Sequence, residues 1–145
     1  MLPRATPRAA VDRHVAIHKL SDLIAGMSPR IVEGSFVFVT IEDGASLPPD
    51  VVAYASVRER EGLSCLIRSD DAGRVGASEN DAFGWISLDV ESALDAVGLT
   101  AAVSAALTDR NIPCNVIAGH HHDHLLVPLH LVHDACATLE ALAQR

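Results

Sequence analysis

The densest group of potential metal-binding and acid–base side chains lies in residues 120–124, whose sequence is His-His-His-Asp-His. In an extended segment alternate side chains share a face, so His120, His122 and His124 could approach one zinc ion. Asp123 could then act as an acid, a ligand or an orienting group. The metallo-hydrolase signature H-x-H-x-D-H is incomplete, because a glycine stands where its first histidine must be. We therefore predict a solvated turn with one or two functional side chains and keep a metal site as the alternative.

A glycine before a predicted helix forms the second candidate site, in the sequence Val97-Gly98-Leu99-Thr100. Because Gly98 has no Cβ, a ligand carboxylate could approach the free N–H groups at the start of the following helix. A glycine that only closes a tight strand–helix turn would have the same sequence. The residues alone leave both interpretations open.

Other catalytic patterns are missing from the sequence. Ser64 and Ser69 have no G-x-S-x-G around them, and the glycines form neither G-x-G-x-x-G nor a P-loop. Cys65, Cys114 and Cys136 lie far apart in apolar periodic positions, which is typical of buried thiols in a reducing compartment. We expect a protein that is not an enzyme and has no cofactor.

Composition narrows the function classes further. The 145 residues are 49% apolar and 21% charged, as expected for one globular domain or two very small ones. A net charge of -8 and an aromatic content of 3% argue against binding to a phosphate backbone or to stacked bases. No apolar run approaches the roughly 20 residues of a membrane-spanning helix, and we expect no secretory signal. We expect a soluble, cytoplasmic protein that binds neither nucleic acid nor membrane.

The first half of the chain is predicted to contain two helices and three strands. Apolar residues recur at helical spacing from near His14 to Met27, and Ser28-Pro29 ends that helix. The run 36–41 is short and β-branched, as in a buried strand. Residues 51–57 and 63–67 form a predicted hairpin around the polar turn 58–62, and 69–81 hold a short helix and a junction.

The second half has the order β-α-β-β-α. Residues 85–90 alternate as a strand, and Leu99, Val103 and Leu107 form the apolar stripe of a helix. Strands are predicted at 114–118 and 125–127, followed by a last amphipathic helix from Val132 to Leu142. This order predicts a ferredoxin-like split βαβ unit.

These elements carry a family resemblance. The Gly98 loop, its helix and the entry Asn-Ile-Pro-Cys-Asn-Val-Ile at 111–117 resemble the core of an ACT domain. The continuation at 118–128 is similar to small bacterial tandem-ACT proteins of unassigned role. The resemblance is specific from Trp85 to Leu142 and weaker in the first half, where it rests on strand 36–41 and the entry 61–64. Aromatic residues often stand at the positions of His120 and His121 in that group, so the histidine-rich turn is a departure.

The resemblance implies two ferredoxin-like (βαββαβ) α/β units with antiparallel sheets and helices on one face. We expect a flexible tail at 1–13, a degenerate ACT-like unit at 14–80 and an ACT domain at 81–145. The C-terminal unit ends on a helix without its fourth strand, so an exchange of a terminal strand between the units is expected.

The resemblance also implies that a small ligand, usually an amino acid, binds at the seam between the units. Asp123 is expected to contact its ammonium group. A homodimer that reports the ligand to a regulated protein partner follows from the same likeness. The alternatives are a small metal-dependent enzyme that uses the turn 120–124, and a module that only dimerises. The expected ligand-binding residues are Val97, Gly98, Leu99, Thr100, Asn115, Ile117, His122, Asp123 and His124.

Overall fold

The architecture is one antiparallel β-sheet with helices on one side, seen in a computed structural model that describes residues 19–90 and 96–145. Two 3-10 segments, Ser69–Val75 and Leu129–Leu131, connect strands to the elements that follow. In chain order the helices and strands are α1 (Leu20–Gly26), β1 (Pro29–Ile41), β2 (Ala55–Glu59), β3 (Gly62–Arg68), β4 (Phe83–Leu88), α2 (Leu99–Thr108), β5 (Asn115–Ala118), β6 (Asp123–Pro128) and α3 (Val132–Ala143).

Strands β1 and β4 lie side by side in the middle of the sheet, whose order is β2-β3-β1-β4-β6-β5. Residues 36–41 of β1 pair with β3, whereas residues 29–32 pair with residues 85–88 of β4. A register shift between Val32 and Phe36 separates the two pairings. The C-terminal unit, β4-α2-β5-β6-α3, has no fourth strand of its own, and the first part of β1 lies where that strand belongs. The two halves therefore share their central strands.

The predicted α/β class, with an antiparallel sheet and helices on one face, is confirmed, but three details differ. The halves share one continuous sheet instead of forming two. Strand β1 begins at Pro29 rather than Phe36, because residues 29–32, which are too short a stretch to show a strand pattern of their own, pair with β4. Residues 42–54 form no helix between β1 and β2, so the first half lacks one helix of a complete unit. The predicted tail at 1–13 and the helix start near His14 lie outside the described residues.

The helices cover one face of the sheet. Ile86, Leu88, Leu125 and Val127 point to that face and meet the buried stripes of α1, α2 and α3. Under the first half the cover is thinner, and Val37, Val39, Cys65 and Ile67 pack against Val51 and the 3-10 residue Ala72. Burial of apolar side chains at about 25 cal/mol per Å² makes this layer the main source of stability.

The opposite side, which we call the helix-free face, carries alternate residues of the same strands. Phe36, Leu66, Trp85 and Leu126 form a small buried cluster there, with Ile117 and Ala55 packed against it. Tyr54 reaches the cluster from the segment before β2, and its ring meets the edges of Phe36 at 5.2 Å and Trp85 at 6.2 Å between centroids. An aromatic ring thus partly covers this face where no helix does.

Candidate functional site

The amino end of α2 presents backbone donors that no side chain satisfies. Gly98 is the N-cap with φ of 106°, a left-handed conformation that favours glycine, and no side chain caps the helix. The first turn contains no acidic residue. The preceding Val97 is 82% exposed. Free N–H groups and the positive end of the helix dipole at an accessible helix start can bind an anion such as a carboxylate.

Leu20 of α1 closes one side of this helix start. A Cβ placed on Gly98 would lie 3.0 Å from Cδ2 of Leu20, which is tighter than ordinary packing. A side chain at position 98 is therefore disfavoured both by backbone conformation and by the neighbouring helix. The glycine therefore has a structural reason that does not depend on the expected binding role.

An ion pair lies at the carboxyl end of β4. Arg30 donates to the carboxylate of Asp89 at 2.8 Å, and the hydroxyl of Ser87 donates to the same carboxylate at 3.0 Å. The hydrogen bond from Arg30, with a smaller contribution from Ser87, lowers the pKa of Asp89. This ion pair joins the first part of β1 to β4.

His122 and Asp123 also lie at the end of β4. The ring Nδ1 of His122 is 3.4 Å from the carbonyl oxygen of Val90, and Asp123 pairs in register with Leu88. Val90 precedes residues 91–95, which lie outside the described residues, and Val97 follows them. His122, Asp123 and the start of α2 thus border the same connection.

Three of the expected site residues lie on the other side of the sheet. Asn115, Ile117 and His124 point to the helix-free face, since Ile117 packs on the Trp85 cluster and Asn115 pairs with Leu126. The ring of His124 meets that of Trp85 at 5.2 Å between centroids. The nine residues therefore do not form one cluster, because these three lie on the face opposite the helices.

His124 is in an unusual environment. Its Nδ1 and the Nε1 of Trp85 are both buried, and neither has a hydrogen-bond partner among the residues described. Burial is the main cause that lowers the pKa of His124, with a smaller contribution from His122. The neutral imidazole is the form that this contact favours.

The histidine-rich turn does not converge on a metal site. The rings of His120 and His121 meet edge to face at 4.7 Å between centroids, while His122 turns toward Val90 and His124 toward the helix-free face. In the part of the chain that the structure describes, no group of three His, Cys, Asp or Glu side chains could hold a metal ion. The geometry gives the metal-enzyme alternative no support.

Two models of the ACT domain match the chain in tandem, one over residues 15–84 and the other over residues 82–141. The chain belongs to the ACT-domain family. ACT domains are typically small-molecule-binding regulatory domains, and they often dimerise. None of the described helices is long and apolar enough to cross a membrane.

Solved structures share this fold. A protein of unknown function from Vibrio cholerae, described as a possible transport protein, is 36% identical, with a TM-score of 0.77 over 86% of this chain and 96% of its own. A protein from Agobacterium tumefaciens is 19% identical, with a TM-score of 0.62 over 81% of this chain and 89% of its own. The ligand-free regulatory subunit of aspartate kinase from Thermus thermophilus is 8% identical, with a TM-score of 0.58 over 81% of this ACT-family chain and 98% of its own. The last two show the fold alone. No curated protein matches the chain.

The sequence did not indicate which residues lie next to Gly98 or next to His124. Leu20 falls within the helix predicted from near His14 to Met27. No feature of the sequence around Leu20 indicates that it contacts Gly98. The alternation at 85–90 did carry a signal for Trp85, because it set Ile86 and Leu88 on one face and left Trp85 on the other. Which residues would meet Trp85 there depends on strand order, which alternation does not determine.

Proposed function

We propose that this ACT-family protein binds a small carboxylate-bearing ligand of the amino-acid class at the start of α2 and acts as a regulatory sensor without catalysis of its own. The observation that carries the proposal is the uncapped helix start at Gly98, which is exposed on one side and bordered by Leu20 on the other. The family's usual role supports small-molecule binding. The amino-acid class and the absence of catalysis belong to the proposal.

The first test uses the helix start itself. Thr100 is exposed in the first turn of α2, and Thr100→Asp would place a carboxylate where the ligand's carboxylate is proposed to bind. An acidic residue there also stabilises the helix by about 0.3–1 kcal/mol. We expect a slightly higher Tm and a loss of ligand binding, two effects of opposite sign that a damaged fold cannot produce together.

Thr108→Asp is the matched control, because the same charge is added at the exposed last residue of the same helix. It should lower the Tm slightly and leave binding unchanged. The ligand is first found by thermal shift against the proteinogenic amino acids, since a ligand that binds only the folded state raises the Tm. No shift with any of them, or unchanged affinity of Thr100→Asp for the amino acid that does bind, contradicts the proposal.

The second test concerns the cationic end of the ligand. We propose that Asp123 contacts the ammonium group, because its position beside the end of β4 borders the connection to α2. A charge-assisted hydrogen bond contributes about 1.5–3 kcal/mol, so Asp123→Asn should weaken binding by about tenfold or more. The Tm of the unliganded protein should hardly change.

Calorimetry with the amino acid found by thermal shift makes this comparison. Asp109→Asn removes an equivalent charge at the opposite end of α2 and should bind as the wild type does. Equal affinities of wild type and Asp123→Asn would refute the assignment of Asp123 while leaving the site at α2 in place.

A further inference from the structure

A groove of about 670 Å³ runs across the helix-free face between the two edge strands, β2 and β5. Small-molecule sites usually have volumes of roughly 300–1,000 Å³. The groove lies on the opposite side of the sheet from the start of α2. Its principal lining residues are Phe38, Val57, Glu59, Ser64, Asn115 and Ile117.

The groove exposes large apolar side chains. Phe38 is 48% exposed and Val57 is 62% exposed. The ring of Phe38 is fixed by an edge contact with Phe83, at 5.8 Å between centroids. Exposed apolar side chains gathered in a concavity are typical of a binding site.

Glu59 is the only charged residue among the described residues that line the groove. The hydroxyl of Ser64 donates to its carboxylate, which orients the acid. The adjacent arginines are engaged elsewhere, Arg58 with Asp43 and Arg60 with Glu61. Within 19–90 and 96–145, no ion pair neutralises Glu59.

We propose that this groove is a second binding site, specific for a small organic cation that carries an ammonium group on an apolar body. The ammonium group binds the carboxylate of Glu59, and the body lies on Phe38, Val57 and Ile117. An apolar lining with one negative charge selects a cation over a neutral molecule of the same shape and rejects an anion. The face of the Phe38 ring adds a cation–π attraction if the ammonium group approaches it.

This site is independent of the proposed function. The ligand at α2 is held by its carboxylate, whereas an anion is rejected in the groove. Glu59, Val57 and Phe38 take no part in the site at α2, so the failure of one proposal leaves the other standing.

The test compares three probes of nearly equal shape by calorimetry on the full chain: 2-phenylethylamine, 2-phenylethanol and phenylacetate. We expect the amine to bind about two- to fivefold more tightly than the alcohol, since one ion pair with an exposed carboxylate separates them. Phenylacetate should not bind in the groove. Equal affinity for the amine and phenylacetate, or saturable binding of none of the three, overturns the proposal.

Two variants locate the binding. Glu59→Gln keeps the shape of the side chain and should reduce the affinity for the amine to that for the alcohol. Glu61→Gln is the matched control, because Glu61 lies on the same hairpin, is paired with Arg60 and does not line the groove. It should leave all three affinities unchanged.

Val57→Arg fills the groove with a cation at an exposed position and should abolish binding of both the amine and the alcohol. Its Tm and its light-scattering mass should match those of the wild type. Unchanged preference for the amine in Glu59→Gln overturns the proposal. Amine binding that is unaffected by Val57→Arg also overturns the proposal. Self-association that buries the groove and excludes the amine overturns it as well.

Discussion

At the scale of single residues, the contact between His124 and Trp85 is the easiest to follow in solution. Trp85 is the only tryptophan of the chain, so its fluorescence reports this site alone. The two rings lie edge to face, and burial is the main cause that lowers the pKa of His124 below 6.5. A protonated imidazole quenches the emission of an indole that it touches, so the pair is a built-in indicator of the protonation state of His124.

We expect a fall in Trp85 emission on acidification, with a midpoint below the usual histidine pKa of about 6.5. The unfolded chain binds the proton at higher pH than the folded protein does, so the free energy of unfolding decreases as the pH falls from about 6.5 toward the folded pKa of His124. Asp89 adds a separate loss at lower pH, because its folded pKa lies below 3.8. Fluorescence titration and thermal melts at several pH values measure both effects.

His124→Gln should remove the emission change, whereas His133→Gln, at an exposed position on α3, should keep it. A midpoint at or above the usual histidine value would show that burial does not control this side chain. The absence of any emission change on acidification would contradict the contact with Trp85.

At the scale of elements, the start of α2 combines a constrained backbone conformation with close packing against α1. It is also the proposed binding site. Gly98 has φ of 106° and faces Leu20, while Gly44 has φ of 86° and no atom within 4 Å of the point that a Cβ would occupy. A non-glycine residue in such a conformation costs about 1–3 kcal/mol. Comparing substitutions at the two glycines therefore separates the free-energy cost of the backbone conformation from the cost of crowding Leu20.

We expect Gly98→Ala to lower the free energy of unfolding more than Gly44→Ala does, because only the first substitution also crowds α1. Truncating the neighbour in Leu20→Ala should bring the two glycine effects closer together. Chemical denaturation of these single variants and of the double variants with Leu20→Ala measures this. Equal losses of stability at the two glycines would mean that Leu20 does not restrict the loop.

At the scale of the whole molecule, the shared central strands leave the edges of β2 and β5 without a partner strand in the described residues. Strand edges with free backbone groups are commonly covered by association, and closed two-fold dimers are the commonest solution. ACT domains often dimerise. The arrangement favours association of this chain with a second copy.

We predict a homodimer with two-fold symmetry. Light scattering at increasing concentration should give twice the mass of the chain and no larger species, because a two-fold interface closes on itself. Thr108→Asp, designed for the ligand test, serves as a control for an unrelated surface charge and should leave the mass unchanged. A monomer mass at the highest concentration would contradict the prediction.

Elements with a complete local pattern could be predicted from their own residues. Leu99, Val103 and Leu107 repeat at helical spacing, and residues 85–90 alternate, which is enough to predict α2 and β4. The tandem ACT resemblance rests on such segments, and the family matches confirm it. The Gly98 loop could be singled out for the same reason, because the glycine and the helix that it precedes are adjacent in the chain.

Long-range contacts determine which of these segments meet. The first part of β1, residues 29–32, is a strand because β4 supplies its hydrogen bonds, a pairing that no local pattern encodes. The register of β5 and β6 then puts Ile117 and His124 on the face opposite the helices, which divides the expected site. The groove at Glu59 is lined by β2 and β5, which are the opposite edges of the sheet, so it depends on how the whole sheet is arranged. Side-chain periodicity is a local property, whereas strand order follows from burial across the entire molecule.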